Sequence, residues 1–141
     1  MAAGLAAAPI AAAQGSLALT VLPSTTQMQS GQSLRMAMTI RSTGTATATG
    51  ISSCLTPPVQ LSITRAAGAT RTGRRACFTV AELAPGTRAT RTVELRAVSD
   101  VAINVQVVAR GTATCHCALV PATWSPVVRI TPGTPSARVT G

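Results

Sequence analysis

Aromatic side chains are almost missing: Phe78 and Trp124 are the only two among 141 residues, and there is no Tyr. Aromatic anchors dominate most binding hot spots. Their scarcity argues against a strong protein–protein or sugar-stacking site. Lys is absent, so every basic residue is Arg, and the acids are only Glu82, Glu94 and Asp100. The formal charge is +9. A basic surface attracts polyanions such as nucleic acid, acidic cell-wall polymers or anionic lipid heads. The arginines are spread along the chain rather than packed in one run. The nearest thing to a patch is Arg65, Arg71, Arg74 and Arg75.

Long apolar runs are also missing. Ala2 to Ala13 is too short for a bilayer, which takes roughly 20 residues. Its small residues before Gln14 fit a signal-peptidase site, although the basic start of an export signal is absent. Residues 1–14 are therefore expected to be an export-signal remnant or a disordered arm. No transmembrane segment is expected, and the chain has no Leu-Pro-x-Thr-Gly sorting signal.

What is present is apolar content of 46%, mostly aliphatic, arranged with period two. Leu17, Leu19 and Val21 alternate with small polar residues. Leu34, Met36, Met38 and Ile40 alternate with Arg35, Ala37, Thr39 and Arg41. Successive side chains of a strand point to opposite faces, so this segment puts four large apolar groups on one side and two arginines on the other. Val59/Leu61/Ile63, Val93/Leu95/Ala97 and Val101/Ile103/Val105/Val107 repeat the pattern. Cys77–Leu83, Cys115–Val120 and Val127–Ile130 are further candidate strands. Pro23, Gly44 and Pro57-Pro58 interrupt the runs. Ala84-Pro85-Gly86-Thr87 reads as a type II turn, with Pro presetting the first dihedral and Gly supplying the positive φ. Residues 66–75 read as a loop carrying Gly and Arg. No stretch has helical periodicity. Seven to nine short strands between turn signals indicate an all-β, immunoglobulin-like antiparallel sandwich over 15–131. Residues 132–141 are expected to be a disordered tail.

From Ser16 to about Ala113 the chain resembles a repeat domain of bacterial and archaeal surface proteins, the "domain of unknown function eleven" family. Three stretches carry the likeness. Pro23-Ser24 and Ser30-Gly31-Gln32 lead to Arg41-Ser42-Thr43-Gly44-Thr45-Ala46, where Ser42 takes the place of an Asn. Ile51-Ser52-Ser53-Cys54 precedes the proline step at Pro58 and Leu61. Arg75-Ala76-Cys77-Phe78-Thr79-Val80 precedes Leu83-Ala84-Pro85-Gly86. A cysteine before the proline step and another in an Ala-Cys-aromatic-Thr strand resemble the actinobacterial version. Leu55 and Pro57 depart from the pattern, standing where Asp and Leu are common. The resemblance implies an immunoglobulin-like sandwich and no enzymatic activity.

Four cysteines allow three pairings, and the sequence does not choose among them. The expected bridge is Cys54–Cys77, in an oxidising compartment. Cys115 and Cys117 are a possible second thiol pair. Bridging them on an extended strand would be strained, so a bulge or turn is required. Cys115-His116-Cys117 is the one local cluster of metal-ligand types. An extended strand would turn His116 away from the two sulfurs, and the chain has no other His. No metal and no other cofactor is expected.

Catalysis has little to work with. Asp100, His116 and a Ser have no nucleophile-elbow spacing. Glu82 and Glu94 sit in strand-like stretches beside Arg. Nucleic-acid binding lacks the aromatics used for stacking. The sequence reads as a non-catalytic, exported structural or adhesive module of the cell surface. The alternative is a module binding an acidic envelope polymer through Arg65, Arg71, Arg74 and Arg75. Its partners would be envelope polymers or other surface proteins.

Overall fold

The computed structural model describes residues 16–115 and 117–133. The expected export-signal segment, His116 and the tail beyond Gly133 lie outside the described residues. Thirteen strand segments form three sheets, and no described residue is helical. In chain order they are β1 (Ser16–Pro23), β2 (Gln27–Gln29), β3 (Ser33–Ser42), β4 (Ala48–Thr56), β5 (Leu61–Arg65), β6 (Thr70–Thr72), β7 (Arg75–Leu83), β8 (Arg88–Ala97), β9 (Ile103–Gln106), β10 (Val108–Ala113), β11 (Ala118–Val120), β12 (Thr123–Trp124) and β13 (Val127–Thr131).

The first sheet has the order β11-β1-β3-β8-β5 and the second β12-β10-β4-β7-β6. A small third sheet, β2-β13-β9, closes one end. Ladders are antiparallel except β1–β11 and β2–β13, which are parallel. The expected sandwich is therefore present, in more pieces than the seven to nine strands read from the sequence. Part of the surplus comes from bends, and part from β2 and β6, three-residue segments that the alternation did not mark. β9 and β10 are one run bent at Val107, whose N–H crosses to the Pro126 carbonyl at 3.0 Å. β12 and β13 bend beside it. Each bend moves the chain from one sheet to another, a common way to turn a sandwich corner.

Alternation explains the core. Leu17, Leu19 and Val21 of β1 and Leu34, Met36, Met38 and Ile40 of β3 are buried. So are Val93, Leu95 and Ala97 of β8. Against them the second sheet sets Ile51, Leu55, Ala76, Phe78 and Ala109. Gly111 of β10 completes that layer because a Cβ there would meet Leu119 Cδ2 at 2.4 Å. Burying such aliphatic surface is the main driving force for folding.

Three strand readings need correction. Val59 and Val101 look like the first members of apolar alternations, but they lie outside β5 and β9 and are 59% and 66% exposed. Pro58 accepts a turn hydrogen bond from Leu61 N at 3.0 Å, and the Ser99 hydroxyl caps Val101 N at 3.2 Å. These local turns outcompete the ladder. Residues 66–75 are not a simple loop: β6 pairs with β7 across a two-residue turn at Gly73-Arg74. Among the described residues between Cys115 and Val120, only Ala118–Val120 is strand. The Ala84–Thr87 turn closes with Thr87 N on the Ala84 carbonyl at 3.1 Å, and Gly86 has φ +78°.

Register places the ends of the domain. Leu17 pairs with Ser42, at the end of β3. Thr131 pairs with Gln29 and accepts from Ser30 N at 2.9 Å, beside the start of β3. The chain thus enters and leaves the sandwich at opposite ends. The ten residues of β3 between them span about 30 Å.

Candidate functional site

Strand alternation sends polar residues to the outer faces of the two large sheets, so these faces are where a ligand would meet the domain. The four arginines singled out in the sequence do not share one surface. Arg65 follows a β-bulge at the end of β5 and pairs opposite Glu94, on the outer face of the first sheet. Arg71 lies opposite the inward-facing Ala76 and turns toward the other sheet. Its Nη2 donates to the Ile63 carbonyl of β5 at 3.1 Å. That carbonyl sits on an edge strand at the bulge, so Arg71 supplies a partner to an edge acceptor. Arg71 and Arg74 border a cleft of about 210 Å³ with Pro57 and Val59. Arg75 begins β7, on the outer face of the second sheet.

That second outer face holds a disulfide. Cys54 and Cys77 are directly opposite on β4 and β7, with Cα atoms 4.0 Å apart, and are bonded. Arg110 pairs opposite Cys54 from the other side. A shallow groove of about 520 Å³ runs there, lined by Cys54, Thr56, Arg75, Val108, Arg110 and Thr112. Cys115 and Cys117 form a second disulfide with a Cα separation of 5.2 Å. Both lie outside any strand, where the backbone departs from the extended geometry. Among the described residues no three His, Cys, Asp or Glu side chains come together as a metal site.

The outer face of the first sheet carries more charge. β3 contributes Arg35 and Arg41, β8 contributes Arg88 and Arg96, and β5 contributes Arg65. All five are exposed. Arg41 stands directly opposite Arg88, and Arg35 directly opposite Glu94. The Thr64 hydroxyl lies 3.2 Å from both the Glu94 backbone carbonyl and its Oε1. Between the two ends lie Ala37, Thr39, Thr90 and Thr92, with the Thr39 and Thr90 hydroxyls 3.0 Å apart. Among the described residues no Arg–carboxylate pair comes within 4.0 Å. The sequence marked Arg35 and Arg41 as outward-facing. It held no sign that Arg88 would stand against Arg41, because that depends on the register of two strands far apart in the chain.

No family model and no curated protein matches the chain. Solved structures do. A CARDB domain from Pyrococcus furiosus, solved in complex with di-metal ions, aligns with TM-score 0.55 at 7% identity, covering 84% of this chain and 94% of that one. The seventh ScaB type I cohesin from Pseudobacteroides cellulosolvens aligns with TM-score 0.54 at 7% identity, covering 89% and 99%. Native alpha-2-macroglobulin of Escherichia coli aligns with TM-score 0.57 at 18% identity, over 81% of this chain and 7% of that much longer one. At these identities the likeness is one of fold: the immunoglobulin-like sandwich that the alternation pattern led us to expect. It does not single out the "domain of unknown function eleven" family.

Proposed function

We propose that this domain is a non-catalytic module of the cell surface, acting as a rigid spacer or adhesive unit, in the manner implied by its resemblance to the "domain of unknown function eleven" repeats. One observation carries the reading. The chain enters and leaves at opposite ends of a sandwich, and the strand at each end is held on both sides. β1 lies between β11 and β3, and β13 between β2 and β9. Ladder hydrogen bonds run across the strands. Tension applied through the chain ends would therefore act on each ladder in shear, loading many bonds together rather than one at a time. Two disulfides are what an oxidising, extracytoplasmic compartment permits. The cohesin and CARDB neighbours support a binding or structural role over an enzymatic one.

Single-molecule stretching through the two chain ends tests this. The expected result is one abrupt high-force unfolding event. The Cys54–Cys77 bridge hides a segment of 23 residues, so reductant should lengthen the released chain by about 80 Å. Gradual extension at low force would overturn the spacer reading.

A further inference from the structure

We propose that the outer face of the first sheet binds a linear acidic polysaccharide, gripped first by Arg41 and Arg88. The spacer reading is not needed for this inference, and the stretching experiment leaves it untouched.

Arg41 and Arg88 are a directly opposed cross-strand pair, and like charges in that position destabilise a sheet. Both are exposed, and among the described residues neither has a carboxylate within 4.0 Å. An anionic group seated between the two guanidiniums turns the repulsion into two charge-assisted contacts, for which the planar donor fork of Arg is suited. Six residues back along β3 from Arg41 is Arg35, about 20 Å away. There Arg35, Arg65 and Arg96 surround one acid, Glu94. Five arginines against one carboxylate, divided between two ends of a face, fit a chain of anions better than a single ion. The strip between them is Ala37, Thr39, Thr90 and Thr92: small or hydroxylated side chains over which a polymer can lie and hydrogen-bond. Phe78 is buried in the second sheet, and Trp124 belongs to β12. The face therefore offers no platform for stacking either bases or sugar rings, so its ligand is held by charge and hydroxyl contacts, and a hydroxyl-rich sugar-acid chain suits the Thr strip better than nucleic acid.

The test uses the full oxidised chain and polygalacturonate, at several salt concentrations. Binding is expected to weaken steeply as salt rises. Replacing both arginines (Arg41→Ser with Arg88→Ser) should weaken binding at least about tenfold. Arg75→Ser with Arg110→Ser removes the same charge from the other sheet and should weaken it far less. Without polymer, the Arg41/Arg88 variant should melt no lower than the parent, because a repulsion has gone. With polymer, only the parent should gain in Tm. In the unaltered protein, the Arg41 and Arg88 side-chain NMR signals should be among the first to move on titration, a readout that needs no variant. Equal losses in the two double variants would reduce the effect to bulk charge and overturn the site. So would absence of binding at low salt. Tighter binding of a single-stranded oligonucleotide than of polygalacturonate at equal ionic strength would overturn the choice of ligand.

Discussion

The two open sides of the sandwich are sealed by different means. On one side β5 of the first sheet faces β6 of the second, and on the other β1 faces β12. Each gap is crossed by one long side chain that donates to a backbone carbonyl of the opposite sheet. Arg71 reaches Ile63 on the first side, and the Trp124 indole Nε1 reaches Leu19 on the second. The acceptors have a common cause. Ile63 sits at a bulge in an edge strand. Leu19 lies just past the last β1–β11 pair, Ala18 with Val120. Where a ladder stops, a side chain takes over. The two disulfides lie elsewhere. Cys54–Cys77 joins the neighbouring strands β4 and β7 on the outer face of the second sheet across a separation of 23 residues, and Cys115–Cys117 closes a separation of 2 just before β11, so neither crosses a gap between the sheets. One side thus relies on an exposed arginine. The other relies on a half-buried tryptophan packed on the core.

The largest expected loss comes from the long-range bridge, which lies outside both seals. Constraining the unfolded chain over such a loop is worth about 3 kcal/mol. Cys54→Ser with Cys77→Ser should lower stability by about that amount in denaturant titration. Cys115→Ser with Cys117→Ser should cost about 1 kcal/mol, because closing so short a loop removes little entropy. Equal losses would show that loop length does not set what each bridge contributes. Next in size is Trp124→Ala, which empties a half-buried site and orphans the Leu19 carbonyl, at about 2–3 kcal/mol. Trp124→Phe keeps most of the packing and loses the donor, at about 1 kcal/mol. Matching losses for Ala and Phe would make Trp124 a hydrogen-bond device like Arg71 and erase the contrast.

The long strands that build this frame were readable in the sequence; the seals were not. β1 and β3 announce themselves because every second residue is large and apolar, and all of those are buried. β8 could be read only from Val93 onward. Its first half, Arg-Ala-Thr-Arg-Thr, has little apolar signal and is held in the sheet by pairing with β3. β6 is wholly exposed and so carries no alternation to detect. Val59 and Val101 mislead for the opposite reason: the apolar rhythm continues into residues that local turns have already removed from the ladder. The Arg41–Arg88 opposition, the Arg71–Ile63 contact and the Trp124–Leu19 contact each join distant segments. Alternation reports which face a residue takes, but it carries nothing about which strand lies alongside.

The smallest expected effect belongs to Arg71→Ala. The guanidinium is solvated on its outer side, so removing it deletes one hydrogen bond and lets water reach the Ile63 carbonyl. The cost should be about 1 kcal/mol or less, well below that of Trp124→Ala. Hydrogen exchange gives a sharper readout than melting, because loss of the strut should loosen its own edge. Amides of β5 and β6 should exchange faster in Arg71→Ala, while those of β1 and β10 stay as protected as in the parent. Trp124→Ala should do the converse, loosening β1, β10 and β12 first. If either variant loosened both edges alike, the sandwich would open as one unit and the sealing of its sides would not be local.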